Sequence, residues 1–258
     1  MMRPVNRAVQ AQRNPPREVQ RNRHPLLLRV VGIVAFLMFG FGGYLTQWIT
    51  NPAAFPIKKI AVEGEFNHMT SEHVQAVVLN AVDGGFFNVN VAAVRSRILD
   101  EPWVLDAAVR RVWPDTIRVS IHEQTAVARW GEHALLNRFA DIFVPESSPK
   151  SSRLAVLDGP IGSESEMLSR YFEIQKRLDH IGLRVTRMKL SERRAWVVEI
   201  KDGATLVLGR HAVDERLDRF SEAFDDLLKG RWTSVALVDL RYTNGFAIRE
   251  KPAAADNG

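Results

Sequence analysis

The chain has 258 residues and no cysteine, which excludes a disulfide scaffold, a thiolate-held metal and a cysteine nucleophile, and its length suits one large domain or two small ones. Apolar residues make up 46% and charged residues 25%, too apolar for a chain disordered throughout. The net charge of +5 sits at the start: residues 1–29 hold seven arginines and one glutamate, the remaining 229 carry 28 bases against 29 acids, and so nothing in the overall charge points to nucleic acid.

Residues 1–25 are Arg-rich, poor in apolar side chains and punctuated by Pro4, Pro15, Pro16 and Pro25. They cannot bury a core and are expected to form a disordered tail. Leu26–Ile49 follows, 24 residues with Arg29 as its one charge. A helix of that length spans roughly 36 Å, enough for a hydrocarbon core of about 30 Å. Arg29 can snorkel to the headgroups, and Tyr44 and Trp48 stand near the other end, where aromatic belts form. A buried core helix and a cleaved signal peptide compete with a membrane span. The first suits neither the length nor the basic flank. The second normally has a shorter apolar run of about 7–15 residues and a small-residue cleavage site. The arginine excess places the N-terminus in the cytoplasm and residues 50–258 outside.

Beyond Pro52 the pattern turns globular. Ile57, Ile60 and Val62 alternate with polar residues up to Gly64, a short strand. Thr70 is a candidate N-cap, and Val74, Val77, Val78 and Ala81 have helical spacing that Gly84-Gly85 breaks. Asn90 can cap a second helix carrying Val91, Val94 and Ile98, with Pro102 beyond its end. A strand over Val104–Val112, a type I turn at Trp113-Pro114-Asp115-Thr116 and a strand with Ile117, Val119 and Ile121 on one face complete a β-α-α-β-β order. Two helices can cover one face of such a sheet and leave two edges free for docking.

From Thr125 strands dominate. Ala126–Trp130 and Ala134–Asn137 flank Gly131-Glu132 as a hairpin, and residues 145–152 read as a polar loop. Ser163 with Glu166 makes a capping box for a helix through Met167, Tyr171, Ile174, Leu178 and Ile181, with Gly182 as its C′ residue. Strands at Val185–Leu190 and Ala195–Ile200 lead through an Asp202-Gly203 turn to Thr205–Leu208. Val213, Leu217, Phe220, Phe224 and Leu227 mark a second helix ending at Gly230. A last strand, Ser234–Tyr242, turns at Asn244-Gly245 in type I′ geometry into Phe246–Arg249, before a frayed tail at 251–258. The fold class is α+β: a sheet with two packed helices follows the smaller domain.

No catalytic constellation is legible. The seven histidines form no close ligand pair, no nucleophile elbow or P-loop occurs, and the Gly-rich FGFGGY lies inside the apolar span. A metal, a cofactor and a small-molecule substrate are therefore not expected, and two small anchored domains favour an interaction protein.

The run EPWVLDAAVRRVWPDTIRVSIHEQTAVARW, residues 101–130, resembles the POTRA region of the FtsQ/DivIB family of bacterial cell-division proteins. Its matching pieces are Pro102-Trp103-Val104, Arg110-Arg111, Trp113 to Thr116, and Glu123 leading to Ala126, Arg129 and Trp130. ADIFVP (140–145), LVLGR (206–210) and VDLRYTNG (238–245) continue the similarity in order. The resemblance implies a POTRA domain over 55–124 and an FtsQ-type β-domain over 125–250. It implies a non-enzymatic, single-pass protein of the inner membrane at the division septum, with its C-terminal domains in the periplasm, that links divisome components and binds FtsB and FtsL. The residues also carry a plain packing reading: Trp103, Trp113 and Pro114 as core and turn residues, Arg110 and Arg111 on a solvated edge. A POTRA-containing outer-membrane assembly or secretion component is the alternative, but residues 125–250 are short for a barrel and hold two amphipathic helices.

The final hairpin is the candidate partner site. Nothing later in the chain is available to pair with Phe246–Arg249, so this strand is expected at or near a free edge, open to an added strand. The resemblance implies that this segment, with an upstream arginine, receives FtsB. Carried over, the residues are Arg194, Arg241, Tyr242, Asn244, Gly245, Phe246, Ala247 and Ile248, with Tyr242 as anchor and Arg194 facing a partner carboxylate. The competing reading makes Asn244-Gly245 an ordinary turn and Tyr242 the cap of a core.

Overall fold

The computed structural model describes residues 25–146, 153–201 and 203–252. The basic tail, residues 147–152 of the expected loop, Asp202 of the expected turn and the last six residues lie outside this set. The first element, α1 (Pro25–Ile49), is a continuous helix in which Leu28, Phe36 and Phe39 are 71%, 78% and 88% exposed. A helix that shows apolar side chains all round needs an apolar medium, and Leu27–Ile49 is long and apolar enough to cross a membrane.

The next layer pair is β1 (Lys59–Glu63), α2 (Ser71–Ala81), α3 (Val91–Leu99), β2 (Val104–Val112) and β3 (Thr116–Glu123). The sheet order is β1-β3-β2, with β3 parallel to β1 and antiparallel to β2. Central β3 carries the alternation that the sequence shows, with Ile117, Val119 and Ile121 buried against Val74, Val78, Val94 and Ile98 of the two helices. Both expected caps form: Thr70 accepts from the His73 N–H, and Asn90 Oδ1 from those of Ala92 and Ala93. The Trp113–Pro114 peptide in the β2–β3 turn is cis. Trp113 is 66% exposed in this turn rather than packed in a core. Arg111 is exposed but tied, donating to the Phe87 carbonyl at 2.7 Å. Trp103 packs between the two folded units, stacked on His68 at 3.7 Å and edge-on to Phe143 at 5.2 Å.

The C-terminal unit is one mixed sheet. Its elements are β4 (Ala126–Trp130), β5 (Ala134–Asn137), β6 (Ile142–Phe143), β7 (Val156–Asp158), α4 (Glu164–Asp179), β8 (Val185–Leu190), β9 (Trp196–Ile200), β10 (Thr205–Gly209), α5 (Val213–Leu227), β11 (Val235–Asp239) and β12 (Ala247–Glu250). The strands lie in the order β12-β11-β10-β9-β8-β7-β4-β5-β6. Helices α4 and α5 touch each other and pack on β8 and β10. Beneath them Met167, Ile174, Leu178, Leu217, Phe220 and Phe224 close over Met188, Val198, Leu206 and Val238.

Local details correct the sequence reading at four places. Ser163 does precede α4, but its hydroxyl donates to the Pro160 carbonyl and caps nothing, so the capping box does not form. At the other end the expectation holds: Gly182, at φ +72°, receives the chain after α4, with Gly182 N–H bonded to Asp179 and Leu183 N–H to Leu178, a Schellman closure. The buried stripe of α5 ends on Leu228 rather than Leu227, which is 56% exposed, and the chain winds on past Gly230 as a 3-10 turn over Lys229–Ser234. Strand β11 stops at Asp239, and Asp239 pairs with Ala247. The connection is thus seven residues long. Neither Asn244 nor Gly245 has the positive φ of a type I′ turn.

Candidate functional site

The site is an edge and the loop that feeds it. Strand β12 pairs only with β11, at the outer limit of the described sheet. Its polarity follows from the ladder. Leu240 N–H donates to the Val207 carbonyl at 2.9 Å on the β10 side, and Lys251 N–H to the Ser234 carbonyl at 2.7 Å on the β11 side. Backbone groups alternate sides along a strand, so Ala247 and Arg249 bond β11 while the N–H and C=O of Ile248 and Glu250 point outward. Side chains alternate by face as well. Phe246 and Ile248 turn toward the core, and Ala247 is exposed.

The seven-residue loop is held from beneath by α5. Arg216 donates to the Leu208 carbonyl at 2.6 Å and to the Arg241 carbonyl at 3.2 Å, and Arg219, one turn on, donates to the Tyr242 carbonyl at 3.2 Å. Gly209 lets this happen. At φ +79°, a β-carbon there would stand 2.8 Å from Arg216 Nη1 and 3.1 Å from Arg241 Cγ. Arg241 itself folds back on Asp239, with Nε at 2.8 Å from Oδ1 and Nη2 at 2.6 Å from Oδ2. These hydrogen bonds hold the Asp239 carboxyl below the usual aspartate range against the opposing effect of burial, and they raise the Arg241 guanidinium in turn.

The expected residues therefore divide. Tyr242 is 58% exposed, so it does not cap a core. Asn244 is exposed beside it, and Gly245 half-buried. Phe246 is half-buried with its ring edge-on to Phe220 at 6.0 Å, and Ile248 packs on the same core, so both are support as much as surface. Arg194 lies in the β8–β9 connection at the same end of the sheet as the β11–β12 loop, because β10 and β11 run parallel and β9 opposes them. Three strand spacings, about 14 Å, separate β9 from β12. Arg194 sits at φ +60° and its guanidinium pairs with Glu166 at 2.5 Å, both groups exposed. Asp239, Arg216 and Arg219, which shape the loop, escaped the sequence reading, and Phe220 enters it only as part of the apolar stripe of α5. Arg216 and Arg219 share a helix face at i, i+3, but nothing in that spacing says which carbonyls they meet. Among the described residues no cluster of three His, Asp or Glu stands where a metal could bind.

Comparison with known proteins fits this architecture. Residues 55–124 match the family model described as POTRA domain, FtsQ-type, and residues 128–241 match Cell division protein FtsQ/DivIB, C-terminal. The second match includes Arg194 and Arg241 and stops short of Tyr242. The cell division protein FtsQ of Allochromatium vinosum is 32% identical over 228 residues, 88% of this chain and 90% of that one. That of Nitrosospira multiformis is 33% identical over 84% of this chain and 94% of its own. That of Coxiella burnetii is 29% identical over 92% and 98%. A membrane-length helix, an FtsQ-type POTRA unit and the FtsQ/DivIB C-terminal sheet, in this order and at this identity, make the chain a member of the FtsQ/DivIB family of cell-division proteins.

Proposed function

We propose that the chain is a single-pass inner-membrane protein of the division septum, with its basic tail in the cytoplasm and both folded units in the periplasm, that works by binding rather than by chemistry. Its partner is a bitopic division protein of the FtsB type, with FtsL in the same assembly. An extended segment of that partner adds to the outer side of β12, and Tyr242, Asn244 and Arg241 on the held loop give the contact its specificity. Arg194 serves at the margin, exchanging Glu166 for a partner carboxylate. The observation that carries this reading is the outer edge of β12, whose outward Ile248 and Glu250 backbone groups have no strand partner among the described residues. The arginine asymmetry about α1 supports the orientation.

The test is a pair of proline substitutions in the full-length protein. Ile248→Pro removes an N–H that faces outward, and an edge strand tolerates that. Partner capture should fall at least tenfold while the fold persists. Arg249→Pro removes an N–H that bonds β11, and should unfold the hairpin. Equal partner binding by Ile248→Pro and the unaltered protein would refute strand addition at this edge.

A further inference from the structure

The POTRA unit has a second surface that the partner site does not use. It lies at the sheet end where β1 and β3 begin and β2 finishes. The chain from α1 to β1 does not extend away from this end. Thr50 N–H bonds back to Thr46, and Ala54 and Phe55 N–H both bond to the Asn51 carbonyl. Asn88 Nδ2 reaches the Thr50 carbonyl at 3.1 Å, and Phe86 N–H the Phe55 carbonyl at 2.8 Å. A row of aromatic rings runs along this connection. Trp48 in the last turn of α1 meets Phe55 edge-on at 5.2 Å, Phe55 meets Phe87 at 5.0 Å, Phe87 meets Phe86 at 5.3 Å, and Phe86 meets Trp113 at 6.0 Å.

The exposure pattern at this end is one-sided. Three large apolar side chains between residues 55 and 124 are exposed: Leu79 (65%), Phe87 (42%) and Trp113 (66%). Phe87 and Trp113 stand in the aromatic row. Leu79 is in the last turns of α2, which lead into the Phe86–Phe87 loop. The opposite end of the sheet faces the C-terminal unit and exposes none. Lys58, Lys59 and Arg110 flank the patch, and none forms an ion pair among the described residues. Asp83 and Asp115 lie at the same end, so the cations there, with Arg111 on the Phe87 carbonyl, outnumber the acids four to two. Aromatic rings with a cation excess, continuous with the end of a membrane span, are the composition of a membrane–water interface.

We propose that this end of the POTRA unit docks on the bilayer that α1 crosses, with Phe87 and Trp113 seated at headgroup depth and Lys58, Lys59 and Arg110 against lipid phosphates. The domain then stands at a fixed height on the membrane rather than swinging on a linker, and β12 is presented at a set distance from the surface. The inference rests on α1 spanning the membrane and on no statement about which side the domains occupy.

The absence of cysteine makes the test direct. Single-cysteine variants Phe87→Cys, Trp113→Cys and Leu79→Cys of the full-length protein are spin-labelled and reconstituted in vesicles of phosphatidylethanolamine and phosphatidylglycerol, with no other protein. Met38→Cys inside α1 and Asp100→Cys at the far end of α3 serve as references. Labels at 87 and 113 should collide several-fold more with oxygen and several-fold less with a soluble nickel complex than the label at 100. The label at 79 should lie between. Water-like accessibility at both 87 and 113 in these vesicles overturns the proposal, and means that the patch awaits a protein partner instead. Loss of the hydrocarbon signature at 38 would instead overturn the membrane span itself. The three exposed sites lie on separate segments, so misfolding of one variant leaves two readouts.

Discussion

Phe246 and Tyr242 stand four residues apart in one loop and should respond in opposite ways to truncation. Phe246 is half-buried, edge-on to Phe220, which in turn touches Phe224 and Trp232. Cutting a fully buried phenylalanine to alanine costs about 3–5 kcal/mol. With no more than about a third of the residue in water, Phe246→Ala should cost about 3 kcal/mol, or a fall in Tm of roughly 10 °C for a domain of this size. Tyr242 is 58% exposed and lies outside the apolar core. Its loss should change stability by no more than about 0.5 kcal/mol. As an interface anchor it should weaken partner binding by about 2 kcal/mol, close to 30-fold. Thermal melts of the full-length protein in detergent, followed by circular dichroism, give the first quantity, and a titrated partner pull-down gives the second. A Phe246→Ala protein that melts with the unaltered one would refute the packing argument. A Tyr242→Ala protein that binds normally would refute the anchor.

Other substitutions probe the supports. Val119 is fully buried on the central strand of the POTRA sheet, so Val119→Asp places an unpaired charge in its core and should remove the cooperative melt of that unit. Arg216→Ala frees the Leu208 and Arg241 carbonyls together, and hydrogen exchange over residues 240–246 should speed up while the POTRA unit is unaffected. The Asp239 carboxyl is held below its ordinary value of 3.8, chiefly by its hydrogen bonds from Arg241. A depressed folded value means that the pair stabilises the fold above the unfolded aspartate value and that this contribution is lost as pH falls through the folded one. Denaturant titrations between about pH 5 and pH 2 should show a shallower acid loss in Asp239→Asn than in the unaltered protein.

Much of this molecule was legible before any fold was seen, and for a common reason: the signals were local. The span of α1, the alternation of Ile117, Val119 and Ile121, the Asn90 cap and the Gly182 closure each depend on side chains within a few residues of one another. Periodicity and cap chemistry report such arrangements directly. The position of β12 at the outer limit of the described sheet agrees with the hairpin order of the sequence, in which β12 follows β11 and pairs back on it. What tertiary structure alone decided was set by neighbours distant in sequence. Strand β7 has three residues, too few to alternate, yet it fills the gap between β4 and β8 and joins the hairpin to the rest of the sheet. Asn244-Gly245 carries the local signature of a tight turn, but Arg216 and Arg219 hold the preceding carbonyls and the loop opens to seven residues. Helical spacing allowed Leu227 or Leu228 to close the stripe of α5, and contact with the core selected Leu228. Whether Tyr242 or Phe246 faced the solvent depended on which of them Phe220 could reach from another element, and no spacing within the hairpin records that distance.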